Sequence, residues 1–168
     1  MKLLIYRLIT GFMTILCLAF VIYNSAKTGE KSAETSKNVT EIVATVIVPG
    51  FKDMSEPQKE AEVRRIHPTL REIAHSLEFC ALSFFLLLFL VSFDFGVPKY
   101  YTALFSIALC FLVALSDEFI LQKFIRGRGS EWLDVGMDAL GATVGSMVAT
   151  AGYYIVKNIK NTRTKNIE

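Results

Sequence analysis

The sequence lacks the short motifs that mark several common classes of enzyme. It has no Gly-rich phosphate loop, no Gly-x-Ser-x-Gly nucleophile elbow and no His-Glu-x-x-His zinc motif, since His75 has no second histidine at helical spacing. Its net charge is only +2, and no basic patch is interleaved with aromatic residues. We therefore predict no nucleic-acid partner and no metal site, and we leave catalysis and cofactors unassigned.

Cysteine is scarce and gives no covalent framework. The three cysteines, Cys17, Cys80 and Cys110, each lie inside an apolar block. An odd number of widely separated cysteines is a poor disulfide framework and has no metal-ligand spacing. We interpret all three as small apolar packing residues.

Long apolar blocks account for much of the chain, 52% of whose residues are hydrophobic. Blocks of about 20 apolar residues match a hydrocarbon core about 30 Å thick. We predict an all-α membrane protein with a single domain over residues 1–168. The first block is interpreted as an uncleaved helix because it exceeds the roughly 7–15 apolar residues of a signal peptide. The four predicted transmembrane helices cover approximately residues 3–23, 73–93, 100–121 and 133–156.

A polar loop, residues 24–71, separates the first two predicted spans. Apolar residues recur at helical spacing from Val39 to Ile47, and Pro49-Gly50 follows, which predicts a short amphipathic helix. A second short helix is predicted with Pro57 in its first turn and its end near His67-Pro68. We expect both to lie on the membrane surface, and a solvated loop is the alternative.

The distribution of basic residues predicts the orientation in the membrane. In a four-span bundle, Lys2, Lys99 and the basic C-terminal tail lie on one side, which the positive-inside rule assigns to the cytoplasm. Both termini are therefore predicted to be cytoplasmic and the 24–71 loop extracytoplasmic. Arg126 and Arg128 fall on the outer side against that rule, which indicates that they serve a purpose other than topology.

Polar and ionisable residues cluster at the ends of the predicted spans. The start of the second span, the end of the third and the start of the fourth share one membrane face whenever successive spans alternate in direction. A charged group deep in the bilayer costs about 2.5–3.5 kcal/mol on insertion scales, so the presence of several favours a function. The candidate functional cluster comprises Arg71, His75, Glu78, Asp117, Glu118, Gln122, Arg126, Arg128, Asp134 and Asp138.

Two glycines extend the acidic stripe of the fourth span. Gly141 and Gly145 follow Asp134 and Asp138 at helical spacing and form a Gly-x-x-x-Gly pattern, which allows helices to approach closely. We therefore predict that this stripe faces the other helices. For Asp134, capping of the N-terminus of the fourth helix is a competing interpretation.

Several stretches of the sequence resemble the VanZ-like family. The segment His75-Ser76-Leu77-Glu78-Phe79 is similar to the family's His-x-x-Glu-Tyr motif, with phenylalanine in place of the tyrosine. The stretch from Ser116 to Phe124 resembles its Ser-Asp-Glu…Gln-x-Phe block, and the candidate residues from Arg126 to Gly145 continue the likeness. The hydroxyl-rich stretch around Ser25 and Ser32 is also similar.

The resemblance implies a multi-pass protein of the bacterial cell membrane. The family is named for a protein linked to teicoplanin resistance, so the likeness implies an envelope role in a Gram-positive-type bacterium and resistance to lipid-bearing glycopeptides. The implied partners are membrane lipids, a lipid-linked cell-wall precursor or the lipoglycopeptide itself.

The residues leave three functions open. In the first, the protein binds or alters an envelope lipid or the drug at the outer leaflet, where arginines can hold phosphate bidentately. Alternatively, it is an enzyme on an envelope lipid, with a histidine and carboxylates for acid and base chemistry or for holding a hard divalent ion. The third possibility is a scaffold in which the cluster only links the helices. A transporter is disfavoured, because four helices without an internal repeat leave little room for alternating access.

Overall fold

A computed structural model of the protein describes residues 1–27, 29–124 and 131–165. No strand occurs within these ranges, which confirms the predicted all-α fold. Three short helical turns in the described ranges cover Phe51–Asp53, Asp117–Leu121 and Gln122–Phe124. The five long helices are α1 (Lys2–Ser25), α2 (Gly29–Ile47), α3 (Glu56–Val91), α4 (Lys99–Ser116) and α5 (Trp132–Lys165).

Four of these helices are long and apolar enough to cross a membrane. They are α1, α3, α4 with the turn that follows it, and α5, with mean hydropathies of 1.3 to 2.1 over their most apolar stretches. Large apolar side chains such as Phe12, Ile15 and Leu112 are exposed on the outside of the bundle, as lipid contact requires. The predicted four transmembrane helices are therefore confirmed.

Helix α3 is the central element of the bundle. It packs against α1, α2, α4 and α5, and α4 also packs against α5. A tight turn at Phe95-Gly96-Val97-Pro98 separates α3 from α4, and Gly96 has the positive φ of 66° that glycine tolerates best. The principal core consists of Val21, Phe79, Leu82, Cys110, Ala114, Val135 and Ala142.

The two glycines of the fourth span bring α5 against the backbone of α3. A Cβ atom built at Gly141 would collide with the carbonyl oxygen of Ser76, and one built at Gly145 would collide with that of Cys80. The Ser76 hydroxyl also donates a 3.0 Å hydrogen bond to the carbonyl oxygen of Met137. The α3–α5 seam therefore depends on the absence of side chains at these two positions.

Further along the same seam, the hydroxyls of Ser83 and Ser146 lie 2.6 Å apart. Both residues are buried, so the bond links α3 to α5 away from water. We expect a double-mutant cycle with Ser83→Ala and Ser146→Ala to give a coupling of about 0.6 kcal/mol, and at most about 1.7 kcal/mol, which is the range of interhelical hydrogen bonds in membranes. Thermal unfolding of the four proteins in one detergent measures it.

A second cycle provides the control for this prediction. Thr150 donates its hydroxyl to the carbonyl oxygen of Ser146 within its own helix, at 2.7 Å. A cycle that combines Ser83→Ala with Thr150→Ala should give no coupling, because these two side chains share no bond. Equal coupling in both cycles would show that the serine pair makes no specific contribution.

The predicted second short helix is wrong as a separate element. Helix α3 begins at Glu56, with Pro57 in its first turn and a Ser55–Gln58 capping box, and it continues through Pro68 without interruption. Pro68 removes only its own bond to the carbonyl of Arg64, which lies on the exposed surface where water can replace the donor. The segment from Glu56 to Arg71 therefore extends span two instead of lying flat on the membrane.

Helix α2 includes the predicted amphipathic segment from Val39 to Ile47 and packs along the first half of α3. The two helices form a hairpin here, and a small core lies between them that consists of Ala44, Phe51 and Val63. The 36 residues of α3 span about 54 Å, which exceeds a hydrocarbon core of about 30 Å. The α2–α3 hairpin therefore projects from the membrane. The predicted basic tail is part of α5, which continues to Lys165.

Candidate functional site

The structure brings the ends of four membrane helices together at one face. The C-terminus of α1, the Arg71–Glu78 segment of α3, the turn after α4 and the first turns of α5 meet there. The alternation of span directions predicts this meeting. Eight predicted site residues lie within the described ranges, whereas Arg126 and Arg128 lie outside them.

One part of this face is a buried network of hydrogen bonds, which we call the carboxylate network. Asp117 accepts a 2.7 Å bond from the Ser25 hydroxyl and a 3.1 Å bond from the Gln122 amide. The same amide donates a 2.7 Å bond to Glu118, whose second oxygen accepts a 2.7 Å bond from the backbone N–H of Glu131. The network ties the end of α4 to the end of α1 and to the start of α5.

A π-helical turn makes the carboxylate network possible. Over Asp117–Leu121 the helix widens, and the N–H of Gln122 bonds to the carbonyl oxygen of Asp117, five residues earlier. In an α-helix, side chains five residues apart point to different faces, because one turn takes 3.6 residues. The wider turn brings Asp117 and Gln122 to the same side. Such turns are rare and occur frequently at functional sites.

The other part of the face is more open. The Arg71 guanidinium lies 3.5 Å from a carboxylate oxygen of Asp134, and its side chain remains 40% exposed. His75 Nδ1 lies 3.9 Å from a carboxylate oxygen of Glu78, too far for a direct hydrogen bond. The other oxygen of Glu78 accepts a 2.8 Å bond from the side-chain amide of Asn24. Asp134 lies in the first turn of α5, where a negative charge is favourable to the helix dipole, and it also pairs with Arg71.

A cavity of about 400 Å³ opens beside these residues, between α1, α2 and α3, and we call it the polar cavity. Its charged and polar lining includes Lys27, Arg71, His75 and Glu78. Apolar side chains complete its walls: Phe20, Tyr23, Val39, Leu70 and Ala74. The polar cavity therefore combines charged groups with apolar walls, as sites for amphiphilic ligands do.

Asp138 lies one turn deeper in α5 than Asp134. It is only 6% exposed, and its Oδ1 atom receives no hydrogen bond from the described residues. A void of about 10 Å³, close to the space that one water molecule needs, lies among Asp138, Asp134, Arg71 and His75. A buried carboxylate oxygen is costly when it has no partner, so the void provides room for the water or ligand atom that would satisfy it.

Sequence reasoning missed three contributors to this face. At the end of α1, Asn24 donates a hydrogen bond to Glu78 and Ser25 donates one to Asp117. Lys27, two residues beyond this helix, lines the polar cavity. The same alternation of spans that groups the other residues also places the end of the first span here. The alternation of spans would therefore have been sufficient to predict Asn24, Ser25 and Lys27 at this face. The backbone N–H of Glu131 carries no sequence signal, because any residue except proline supplies it.

The resemblance suggested by the motifs is confirmed by comparison with known families. The family model described as VanZ/LLP1 matches residues 10–156 of the 168. The chain belongs to this family. The matched region includes every residue of the carboxylate network and the polar cavity, and it includes the glycines of the α3–α5 seam. No curated protein and no solved structure matches the chain.

Membership of VanZ/LLP1 and the four apolar helices together make this a multi-pass membrane protein. Within the described residues, no group of three or more His, Cys, Asp or Glu side chains is arranged to hold a metal ion.

Proposed function

We propose that this VanZ-like protein binds an envelope amphiphile at the polar face and thereby contributes to resistance to teicoplanin or other lipoglycopeptides. The amphiphile is a membrane lipid, a lipid-linked cell-wall precursor or the drug itself. The observation that carries the proposal is the polar cavity, which places Lys27, Arg71, His75 and Glu78 beside apolar walls at one membrane face. With both termini in the cytoplasm, this face is the outer one, where the drug and its target meet.

The cationic groups of the polar cavity suit a phosphate or carboxylate. Within the described residues, the ion-pair partner of Arg71 is Asp134, at 3.5 Å, and the Arg71 side chain is 40% exposed, so several of its five N–H donors can turn to a ligand. Lys27 donates a 3.0 Å bond to the side-chain oxygen of Asn24, and both residues line the cavity. Arginine can hold an anion bidentately and lysine adds a point charge, so the pair would orient the headgroup of an anionic amphiphile.

The apolar walls suit the part of the ligand next to its headgroup. Phe20 and Ala74 belong to membrane-spanning helices, whereas Val39 belongs to α2 on the projecting hairpin. The polar cavity is thus bounded by the bundle on one side and by an amphipathic helix on the other. An acyl or prenyl chain can continue from it along the lipid-facing surface.

The scaffold hypothesis fits a different part of the face. Gln122 donates hydrogen bonds to both Asp117 and Glu118, and all three residues are buried. The two carboxylates also accept bonds from the end of α1 and from the residue before α5. Their geometry supports a structural role, which is to fix the helices that surround the cavity. We therefore assign binding to the polar cavity and scaffolding to the carboxylate network.

Catalysis on an envelope lipid is the second candidate function. The observation that favours it is Asp138, which has a buried Oδ1 without a hydrogen-bond partner among the described residues and which lines a water-sized void together with His75 and Arg71. A carboxylate, a histidine and an arginine around one water molecule provide a base, an acid and an anion-stabilising group. Asp138→Asn should then change the lipid composition of the membrane, and identical lipid profiles at matched protein abundance would exclude catalysis by this residue.

The binding proposal is tested in a susceptible Gram-positive host by inhibitory concentrations of teicoplanin and of vancomycin, which lacks the acyl chain. We expect the wild-type gene to raise the value for teicoplanin and Arg71→Gln to return it towards the level without the gene. Loss of charge-assisted hydrogen bonds worth about 1.5–3 kcal/mol lowers the affinity for an anion roughly tenfold or more. Vancomycin values should change little.

Arg65→Gln is the matched control for this experiment. It removes the same charge from the same helix, but Arg65 contacts Glu62 on the exposed surface and does not line the polar cavity. The control should protect as well as the wild type at equal membrane abundance. Equal shifts for both drugs, or equal loss in the two arginine variants, would contradict the proposal.

A further inference from the structure

A second cleft lies at the opposite membrane face. Its volume is about 750 Å³, and its walls come from the start of α1 and the last part of α5. The end of α3 also lines it, with Leu88, Val91 and the C-cap residue Ser92. On the neighbouring side of α1, Arg7 donates a 2.8 Å bond to the Ser92 carbonyl oxygen, which holds α1 to the end of α3. We call this feature the basic cleft.

The charged side chains that line the basic cleft within the described part of the chain are all lysines. Lys2 comes from α1, whereas Lys157 and Lys160 come from α5, and all three are exposed. Among the lining residues that the structure describes, none is an aspartate or a glutamate. Three positive charges from two different helices therefore surround one opening, which makes it complementary to an anionic group.

Apart from Ser92, the remainder of the described lining of the basic cleft is apolar or amphipathic. Leu88 and Val156 line it towards the bundle, and Tyr6 and Tyr153 contribute rings with a polar end. Gly152 also lines it, and a Cβ atom built there would meet no atom within 4 Å. A tyrosine is suited to the boundary between hydrocarbon and water, and a lysine extends its ammonium group from an apolar wall into the headgroup layer.

We propose that the basic cleft binds an anionic phospholipid, with its phosphate among the three lysines and its acyl chains along the apolar walls. The alternative of a free phosphate group would use the lysines but not the walls. The inference extends beyond the polar cavity and the resistance role, and it holds whichever face is cytoplasmic. With the predicted orientation, the lipid lies in the cytoplasmic leaflet, whose anionic lipids attract basic segments next to a membrane span.

The test is native mass spectrometry of the purified full chain in detergent, titrated with phosphatidylglycerol or with phosphatidylcholine of identical acyl chains. We expect phosphatidylglycerol to bind about tenfold more tightly or better, since each lysine near the lipid contributes about fivefold. Lys157→Gln combined with Lys160→Gln should lower the affinity for phosphatidylglycerol about tenfold or more and leave phosphatidylcholine unchanged. Equal binding of the two lipids by the wild type would overturn the proposal.

A matched pair at the other end of the molecule controls for net charge. Lys52→Gln combined with Lys59→Gln removes the same two charges from the projecting hairpin, and neither lysine lines the basic cleft. This protein should bind both lipids as the wild type does. An equal loss of phosphatidylglycerol binding in the two double variants would mean that overall charge, and not the cleft, determines the preference.

The apolar walls are tested separately. Gly152→Leu places a side chain in the basic cleft without a change of charge, whereas Gly136→Leu adds the same side chain at a position with equally open space outside the cleft. We expect only Gly152→Leu to weaken phosphatidylglycerol binding, and we expect sn-glycerol 3-phosphate, which has no acyl chains, not to compete. Competition by that soluble phosphate, or unchanged binding by Gly152→Leu, would overturn the assignment to a lipid.

Discussion

Gly141→Ala and Gly145→Ala will each destabilise the bundle by about 3 kcal/mol or more, which is the upper range for overpacked positions. In both cases the added methyl group meets a backbone carbonyl of α3, at Ser76 or Cys80, and not a side chain that can rotate away. The helices must therefore move apart, which also separates the Ser83–Ser146 pair. Thermal unfolding in detergent, with the fraction of monodisperse protein as a second readout, measures the loss.

The same helix provides two controls for the glycine prediction. A Cβ atom added at Gly136 or Gly152 meets nothing within 4 Å. Gly136→Ala and Gly152→Ala should leave the unfolding temperature unchanged or raise it, because alanine is about 0.5–1 kcal/mol better than glycine inside a helix. If all four variants behave alike, the α3–α5 seam does not depend on close backbone contact.

Glu118→Ala is expected to produce the second large loss of stability. Glu118 is 2% exposed and accepts hydrogen bonds from the Gln122 amide and from the Glu131 backbone. Removing the carboxylate leaves two donors without this acceptor, at about 1.5–3 kcal/mol for each charge-assisted bond. We expect a decrease of about 3 kcal/mol or more in the free energy of unfolding, measured in the same detergent as the glycine series.

Glu131→Ala distinguishes the backbone bond from a side-chain effect. The side chain of Glu131 is exposed, and only its N–H reaches Glu118. Alanine retains that N–H, so the stability should change by less than about 0.5 kcal/mol, as for other surface substitutions. A loss as large as that of Glu118→Ala would mean that the exposed carboxylate of Glu131, and not its backbone, stabilises the connection.

Apolar length and the alternation of spans were sufficient to predict the four membrane helices and their common polar face. A stretch of about 20 apolar residues has few alternatives to a transmembrane helix, because every backbone polar group must be satisfied inside hydrocarbon. Once four spans are given, the ends that share a face follow by counting. Because the start of span two and the start of span four share a face, one small void is lined by Arg71, His75, Asp134 and Asp138.

Details that depend on local geometry could not be predicted in the same way. Helix α3 continues through Pro68 because the carbonyl of Arg64, which loses its donor there, is exposed to water, whereas proline in the sequence alone favours a helix end. The π-helical turn at Asp117–Leu121 changes which side chains share a face, and the residue pattern does not distinguish it from an α-helix. The bond from Glu131 to Glu118 uses a backbone group that every residue except proline has.

The long helix α3 also sets the depth of the polar face. From Arg71 to Val91 the helix rises about 30 Å, which equals the thickness of the hydrocarbon core. Charged residues precede Arg71, and Lys99 begins the next span, so neither end can slide into the bilayer without a large cost. The length of this helical segment therefore fixes Arg71 at the headgroup boundary and Glu78 about 10 Å deeper in the bilayer. A ligand that contacts both Arg71 and Glu78 therefore has to lie partly in the lipid layer and partly in the aqueous headgroup region.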